Sequence, residues 1–341
     1  MTLKALVIGI LAALIALEAL QLVEQGRGTP IVSNQSGVAN SQLATEGVEY
    51  GTLIDTLGAA GAYKQFKQET LKNSSSGAQH ALAHVFGEVL YEKTGLPGIV
   101  ICDEAFVYGC DHSFIGAAIN DRGLGIAVGL ADECTKQFGD GSPCLHGIGH
   151  GLVGYLGYDK KSLLEALGYC RTISDRSSVA SENACATGVF MEYNRRTMID
   201  PSGGGTLARD WDPGEPQAPC SWVDKEFLEP CYNEVPQWWK TVFAWDFKKV
   251  GEYCLGAPEE ALVRTCIGSL GYSLSSNYDF KIDPIVKACD QMPDTSWDIV
   301  CRQGAAQAFL ADPGQAGHVS SLCSGLSVAE KTRCLNGIKK S

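Results

Sequence analysis

The fourteen cysteines of this 341-residue chain constrain its fold more than any other feature. They fall into seven close pairs: Cys102/Cys110, Cys134/Cys144, Cys170/Cys185, Cys220/Cys231, Cys254/Cys266, Cys289/Cys301 and Cys323/Cys334. The second members recur at steps of 34, 41, 46, 35, 35 and 33 residues. A period in the thirties to forties belongs to helical arrays, where each unit buries its apolar face only against its neighbours. The expected fold is all-α: an array, solenoid or closed toroid, of about seven disulfide-stapled helical repeats. An even cysteine count at regular spacing also implies a disulfide framework formed in an oxidising compartment. Neighbouring cysteines are expected to pair, because helix ends separated by 7–14 residues can reach the Cα separation of roughly 4.4–6.8 Å that a disulfide needs. Each bridge closes a short loop and stabilises by about 2–3 kcal/mol if chain entropy is the main effect. No C-x-x-C occurs, which speaks against zinc ribbons, dithiol redox pairs and covalent haem.

The last units show the repeat most clearly. Val286–Cys289 ends one helix, and Pro293-Asp294 opens another that passes through Cys301 and runs to Leu310. One unit earlier, Glu252–Cys254 is followed by Pro258-Glu-Glu at a helix start and then by Cys266–Tyr272. Proline with acidic residues in a first turn is a helix-start signal. Three positions after each second cysteine stand Ser113, Gly147, Gly188, Glu234, Ser269, Gly304 and Gly337. All but Glu234 are small, as expected where one helix packs closely on another beside a disulfide. The stretches Lys287-Ala-Cys289 and Cys266-x-x-x-Leu270-Gly271-x-x-Leu274 resemble the cysteine-rich Sel1-like helical repeats of exported bacterial proteins. That resemblance implies an all-helical repeat scaffold with disulfides between consecutive helices, and no catalytic residue.

The N-terminus is mostly apolar from Ala5 to Val23, long enough for a membrane-spanning helix, with Ala5–Leu17 able to serve as the apolar core of a signal peptide. Residues 1–25 are expected to be a signal anchor or signal peptide, 26–46 a flexible linker rich in Gly, Ser, Asn and Gln, and 47–341 the repeat domain. This organisation places the domain outside the cytoplasm, on the periplasmic or extracellular side, with the membrane as one partner. A net charge of −12 without a basic stripe excludes nucleic acid as a partner.

Two further segments stand out. An inserted loop between Glu192 and Cys220 carries Asp210, Asp212 and Glu215, oxygen donors suited to a hard cation such as calcium but without EF-hand spacing. The run Gln237–Phe247 is dense in aromatics at helical spacing, which marks core.

The candidate chemistry lies in the histidines. Of six in the chain, five fall between residues 80 and 150, four of them as the pairs His80/His84 and His146/His150. Chance would give roughly 0.1 pairs at this four-residue spacing. On a helix such residues share one face and can share a metal. A helix from about Ser75 to before Gly95 puts His80, His84, Gly87, Glu88 and Tyr91 on one stripe, against an apolar stripe of Leu82, Val85, Phe86, Val89 and Leu90. His112 and His146 each lie two residues after a second cysteine, so equivalent repeat positions carry both. Glycines 147, 149, 151 and 154 suit the close approach of a backbone or ligand. The metal ligands are therefore expected to be His80, His84, His112, His146 and His150, binding a transition metal (zinc, copper or iron), with the two pairs facing each other and room for two ions or for one ion and a substrate. Glu88 and Glu192 are the candidate catalytic carboxylates, and Asp111 and Glu192 the candidates to complete the shell. His318 can join only if the array closes on itself. These features point to an exported, membrane-tethered metalloprotein, a hydrolase or an oxidoreductase. The alternative is a non-catalytic binding scaffold or an accessory subunit of a membrane complex.

Overall fold

A computed structural model of the chain describes residues 40–74, 76–138, 142–176, 182–196 and 209–338. Among the described residues every regular element is helical. The expected membrane helix and signal segment (1–25) lie outside the described residues, and among those described no helix is long and apolar enough to cross a membrane. The expected linker over 26–46 needs correction at its end, because the first helix already starts at Asn40.

That helix, α1 (Asn40–Asn73), breaks at Gly58 (φ 70°) into two arms, and Tyr50 on one arm meets Phe66 on the other with ring centroids 5.2 Å apart. Next come α2 (Ser76–Thr94), α3 (Gly109–Arg122), α4 (Ala127–Phe138), α5 (Ser142–Leu156), α6 (Lys160–Arg176) and α7 (Glu182–Asn194). The second half comprises α8 (Leu228–Val242), α9 (Phe247–Cys254), α10 (Glu260–Asn277), α11 (Ile282–Cys289), α12 (Thr295–Ala311) and α13 (Val328–Ile338). The expected boundaries near Ser75 and Gly95 match α2 closely. Asp294 caps α12 by accepting from the Ser296 and Trp297 amides, satisfying donors that have no partner within the helix.

Helices that carry a second cysteine pack on one another in order: α3 on α5, α5 on α7, α7 on α8, α8 on α10, α10 on α12 and α12 on α13. α2 precedes this series and packs on α3. The intervening helices α4, α6, α9 and α11 lie against members of the series.

Six of the seven expected pairs form bridges between neighbouring cysteines. They are Cys102–Cys110, Cys170–Cys185, Cys220–Cys231, Cys254–Cys266, Cys289–Cys301 and Cys323–Cys334, with Cα separations of 5.5–6.0 Å. For the seventh pair, Cys144 is disulfide-bonded, while the side chain of Cys134 lies outside the described set. The bridges join helix ends to early turns. Cys170 in α6 is tied to Cys185 in α7, Cys254 at the end of α9 to Cys266 in α10, and Cys289 at the end of α11 to Cys301 in α12. Three bridges depart from the helix-to-helix pattern. Cys231 in α8 and Cys334 in α13 take their partners, Cys220 and Cys323, from short 3-10 turns, and Cys110 in α3 takes Cys102 from the extended residue that ends another. The number of bridges places the chain in an oxidising, extracytoplasmic environment.

Small residues let the series pack backbone to backbone. A Cβ on Gly188 of α7 would sit 2.0 Å from the His146 carbonyl oxygen of α5, so no larger residue fits without parting the helices. The buried core includes Phe86, Phe114, Leu145, Ile148 and Phe190. Burying each such side chain stabilises by about 1.5–3 kcal/mol. The aromatic run of α8 is core as expected: Trp238 and Trp239 are fully buried.

Candidate metal centre

Three successive helices of this stack bring the five histidines into one chamber. α2 carries His80 and His84, α3 carries His112, and α5 carries His146 and His150. Ring centroids lie 4.6 Å apart for His80/His84, 4.9 Å for His146/His150 and 5.5 Å for His84/His150. His112 stands between the pairs, 5.9 and 5.8 Å from His80 and His84, and 4.6 and 6.0 Å from His146 and His150. The histidine stripe of α2 meets the histidine-bearing face of α3. The pairs face each other through α3.

Two triads form, His80/His84/His112 and His112/His146/His150, and within each the candidate ligand atoms all lie within 4.8 Å of one another. The Nε2 atoms of His80 and His84 are 3.1 Å apart. Two nitrogens bound to one tetrahedral zinc at 2.0–2.1 Å stand about 3.3 Å apart, so this pair is already spaced to clamp an ion. Among the described residues no carboxylate or thiolate joins either triad. The described cysteines, Cys185, Cys231 and Cys334 among them, are committed to bridges and form framework.

The outer nitrogens are held by fixed partners. His80 Nδ1 lies 2.6 Å from the Phe106 carbonyl oxygen, which makes it the N–H donor and leaves Nε2 facing the chamber. His146 Nδ1 lies 3.0 Å from Thr187 Oγ1, and His150 Nδ1 lies 2.9 Å from Glu192 Oε2, both from α7. Tyr158 donates to the other oxygen of Glu192 at 2.7 Å. A carboxylate or carbonyl behind a ligating imidazole sets its tautomer and orientation. Ser113, in the small-residue position of its repeat, donates to the His84 carbonyl and ties α3 to α2.

The Phe106 carbonyl reaches His80 through a strained turn. Phe106, Val107 and Tyr108 all adopt positive φ, at 57°, 55° and 58°, before α3 begins at Gly109. Non-glycine residues avoid this region, and strain of this kind gathers at sites where the surroundings impose it. Here the Cys102–Cys110 bridge closes over the turn.

Burial sets the electrostatics. His84, His112 and His150 are buried, while His80 and His146 keep partial access to solvent. Desolvation first, then the neighbouring imidazoles, hold His84, His112 and His146 well below the usual histidine range. Desolvation also lowers His80, partly offset by its bond to Phe106. Neutral imidazole is the form that ligates metal.

The other sequence candidates take different places. Glu192 stands behind His150. Glu88 is buried on α2, within electrostatic reach of Tyr158. Asp111 is fully buried, neither of its oxygens has a hydrogen-bond partner, and it interacts with Asp103 and Glu104 rather than joining a triad. His318 is exposed and belongs to neither triad. Asp212 and Glu215 are engaged locally, with the Gly214 amide and Trp222 Nε1. Thr187, Tyr158 and the Phe106 carbonyl were not foreseen. Thr187 and Glu192 flank the glycine that brings α7 onto α5, a spacing that points to them once the helix register is known.

Compared with known protein families, curated proteins and solved structures, the chain matches none, so the Sel1-like resemblance draws no support from them.

Proposed function

We propose that this protein is an exported, membrane-tethered array of disulfide-stapled helical repeats that holds a transition metal, zinc, copper or iron, in the five-histidine chamber. One observation carries this reading: five imidazoles from three helices converge, and the ligand atoms of each triad lie within 4.8 Å of one another. Burying so many ring nitrogens without a ligand is costly. His84 Nδ1 and His112 Nδ1 are both buried without a hydrogen-bond partner, a cost of about 1–3 kcal/mol each. All-nitrogen donors suit borderline transition ions, and the cysteines are withdrawn from competition as disulfides. Three imidazoles per ion leave a fourth position open for water or substrate, as catalytic sites do. A bound water activated there makes the protein a hydrolase, and a redox ion makes it an oxidoreductase. His80 and His146, the partly exposed members, form the rim through which an ion or substrate arrives. The apolar run from Ala5 to Val23 supplies the tether.

Elemental analysis of protein purified without an affinity tag tests this reading. At least one tightly held ion per chain after incubation with Zn(II), Cu(II) or Fe(II) is expected. Less than about 0.2 ion per chain with every ion would end it.

A further inference from the structure

The five histidines are not equivalent. His80, His146 and His150 each commit Nδ1 to a partner outside the chamber: the Phe106 carbonyl, Thr187 and Glu192. Each can therefore give one nitrogen, Nε2, to one ion. His112 differs. Neither of its ring nitrogens hydrogen-bonds to a described residue, and its Nδ1 is buried without a partner. Its helix, α3, lies between α2 and α5, and its ring belongs to both triads.

We propose that the chamber is a two-metal centre with His112 as the shared ligand, one ion held by His80, His84 and His112 and the other by His112, His146 and His150. This rests on the metal-binding reading above and goes beyond it. An imidazole binds two ions only through both nitrogens. Binding of the second ion therefore releases the remaining N–H proton to solvent and leaves a bridging imidazolate; no electron moves. The unpartnered state of His112 follows from this role, since an outside hydrogen bond would occupy a nitrogen needed by an ion. Its position two residues after Cys110, with Ser113 tied to α2, fixes the ring between the pairs.

The bridge also limits the chemistry. With metal–nitrogen bonds of 2.0–2.1 Å on either side of the ring, the two ions stand about 6 Å apart. Two-metal hydrolases that share an attacking oxygen hold their ions about 3.5–4 Å apart. The two ions here are too far apart to clamp one oxygen. Each acts singly, or the bridge couples them electronically.

The test uses the full chain, stripped of metal and titrated with Zn(II), then separately with Cu(II). Two ions per chain are expected with each, together with proton release on the second equivalent. The Cu(II)-loaded protein is expected to show an electron paramagnetic resonance spectrum of two spins coupled across about 6 Å, by the bond lengths given above. His80→Ala should remove one ion and leave the other, whereas His112→Ala should weaken both at least tenfold. Saturation at one ion per chain would overturn the shared centre while leaving metal binding intact, and no bound ion at all would overturn both. Two ions without magnetic coupling would overturn the bridge. The wild-type stoichiometry and spectrum decide the matter even if His112→Ala fails to fold.

Discussion

His150 Nδ1 lies 2.9 Å from Glu192 Oε2, and neither side chain has any exposed surface. With Tyr158 on its other oxygen, Glu192 is held rigidly enough to fix the His150 ring and aim Nε2 at His112 and His146. On the proposed metal-binding reading, the carboxylate acts through the imidazole, as a positioning residue.

Glu192→Gln keeps the volume but weakens this support, since an amide oxygen is a poorer acceptor than a carboxylate. Partners of this kind typically contribute 10–100-fold in metal affinity. Competition against a chromogenic chelator should show a loss of that size, with an unchanged helical circular dichroism spectrum. An affinity within twofold of wild type would show that Glu192 does not orient the ligand.

Gly188→Ala tests the same support through the backbone. The added methyl would approach the His146 carbonyl to 2.0 Å, so α7 must move away from α5 and carry Thr187 and Glu192 with it. Overpacking of this sort costs about 1–3 kcal/mol. The expected result is a lower urea midpoint together with weaker metal binding. Lower stability with unchanged affinity would mean that α7 is scaffold and does not support the histidines.

Much of this architecture was legible in the chain. The cysteine pairs, α2 and its histidine stripe, and the small residues after every second cysteine but Cys231 depend on local spacing, which sequence displays directly. The partners of the histidines were less legible, because they arise where separate helices meet. Thr187 and Glu192 reach His146 and His150 across some forty residues, and the Phe106 carbonyl has no side-chain signature. The positive-φ turn at 106–108 was also hidden, since Phe, Val and Tyr are the last residues to suggest that conformation. The linker boundary failed for another reason: Asn40–Glu46 is polar, but it opens the helix whose Tyr50 and Ile54 enter the core.

Glu234 and Lys240 on α8 should give the metal-free protein two opposing pH dependences. Burial pushes the Glu234 carboxyl up to about 7 from 4.5, against a hydrogen bond from Asn233 and the Arg195 charge. Its folded form binds the proton more tightly than the unfolded chain. Its contribution is full below pH 4.5 and is lost as pH rises to about 7. Lys240 is buried among Gln237, Ser273 and Asn277, and desolvation, then Arg195, hold its ammonium well below 10.5. Here the unfolded chain binds the proton more tightly, so stability grows as pH rises toward 10.5. Urea midpoints for wild type and Glu234→Gln across pH 4 to 8 should converge at the acidic end. The variant should gain on wild type by up to about 1.4 kcal/mol per pH unit within the window. Parallel curves would show that Glu234 titrates in the fold as it does in the unfolded chain.

The turn over the Cys102–Cys110 bridge makes the sharpest prediction. Val107 is β-branched, sits at φ 55°, and leaves 66% of its surface exposed, so its side chain contributes little packing in return for the conformation it adopts. The left-handed region costs a non-glycine residue about 1–2 kcal/mol, and glycine adopts it freely while losing about 0.5–1 kcal/mol through the greater freedom of the unfolded chain. Val107→Gly should therefore be neutral or stabilise the fold by up to about 1.5 kcal/mol on these figures. Exposed valines are seldom better replaced by glycine, so the sign alone is diagnostic. If the strain serves to press the Phe106 carbonyl onto His80 Nδ1, the same substitution lets that carbonyl move away and weakens the first triad. Thermal unfolding of the metal-free protein and Zn(II) competition titration should then change in opposite directions, stability up or unchanged and affinity down. A clear loss of stability would mean that the turn is unstrained, and retention of affinity would mean that His80 is held by packing rather than by the Phe106 carbonyl.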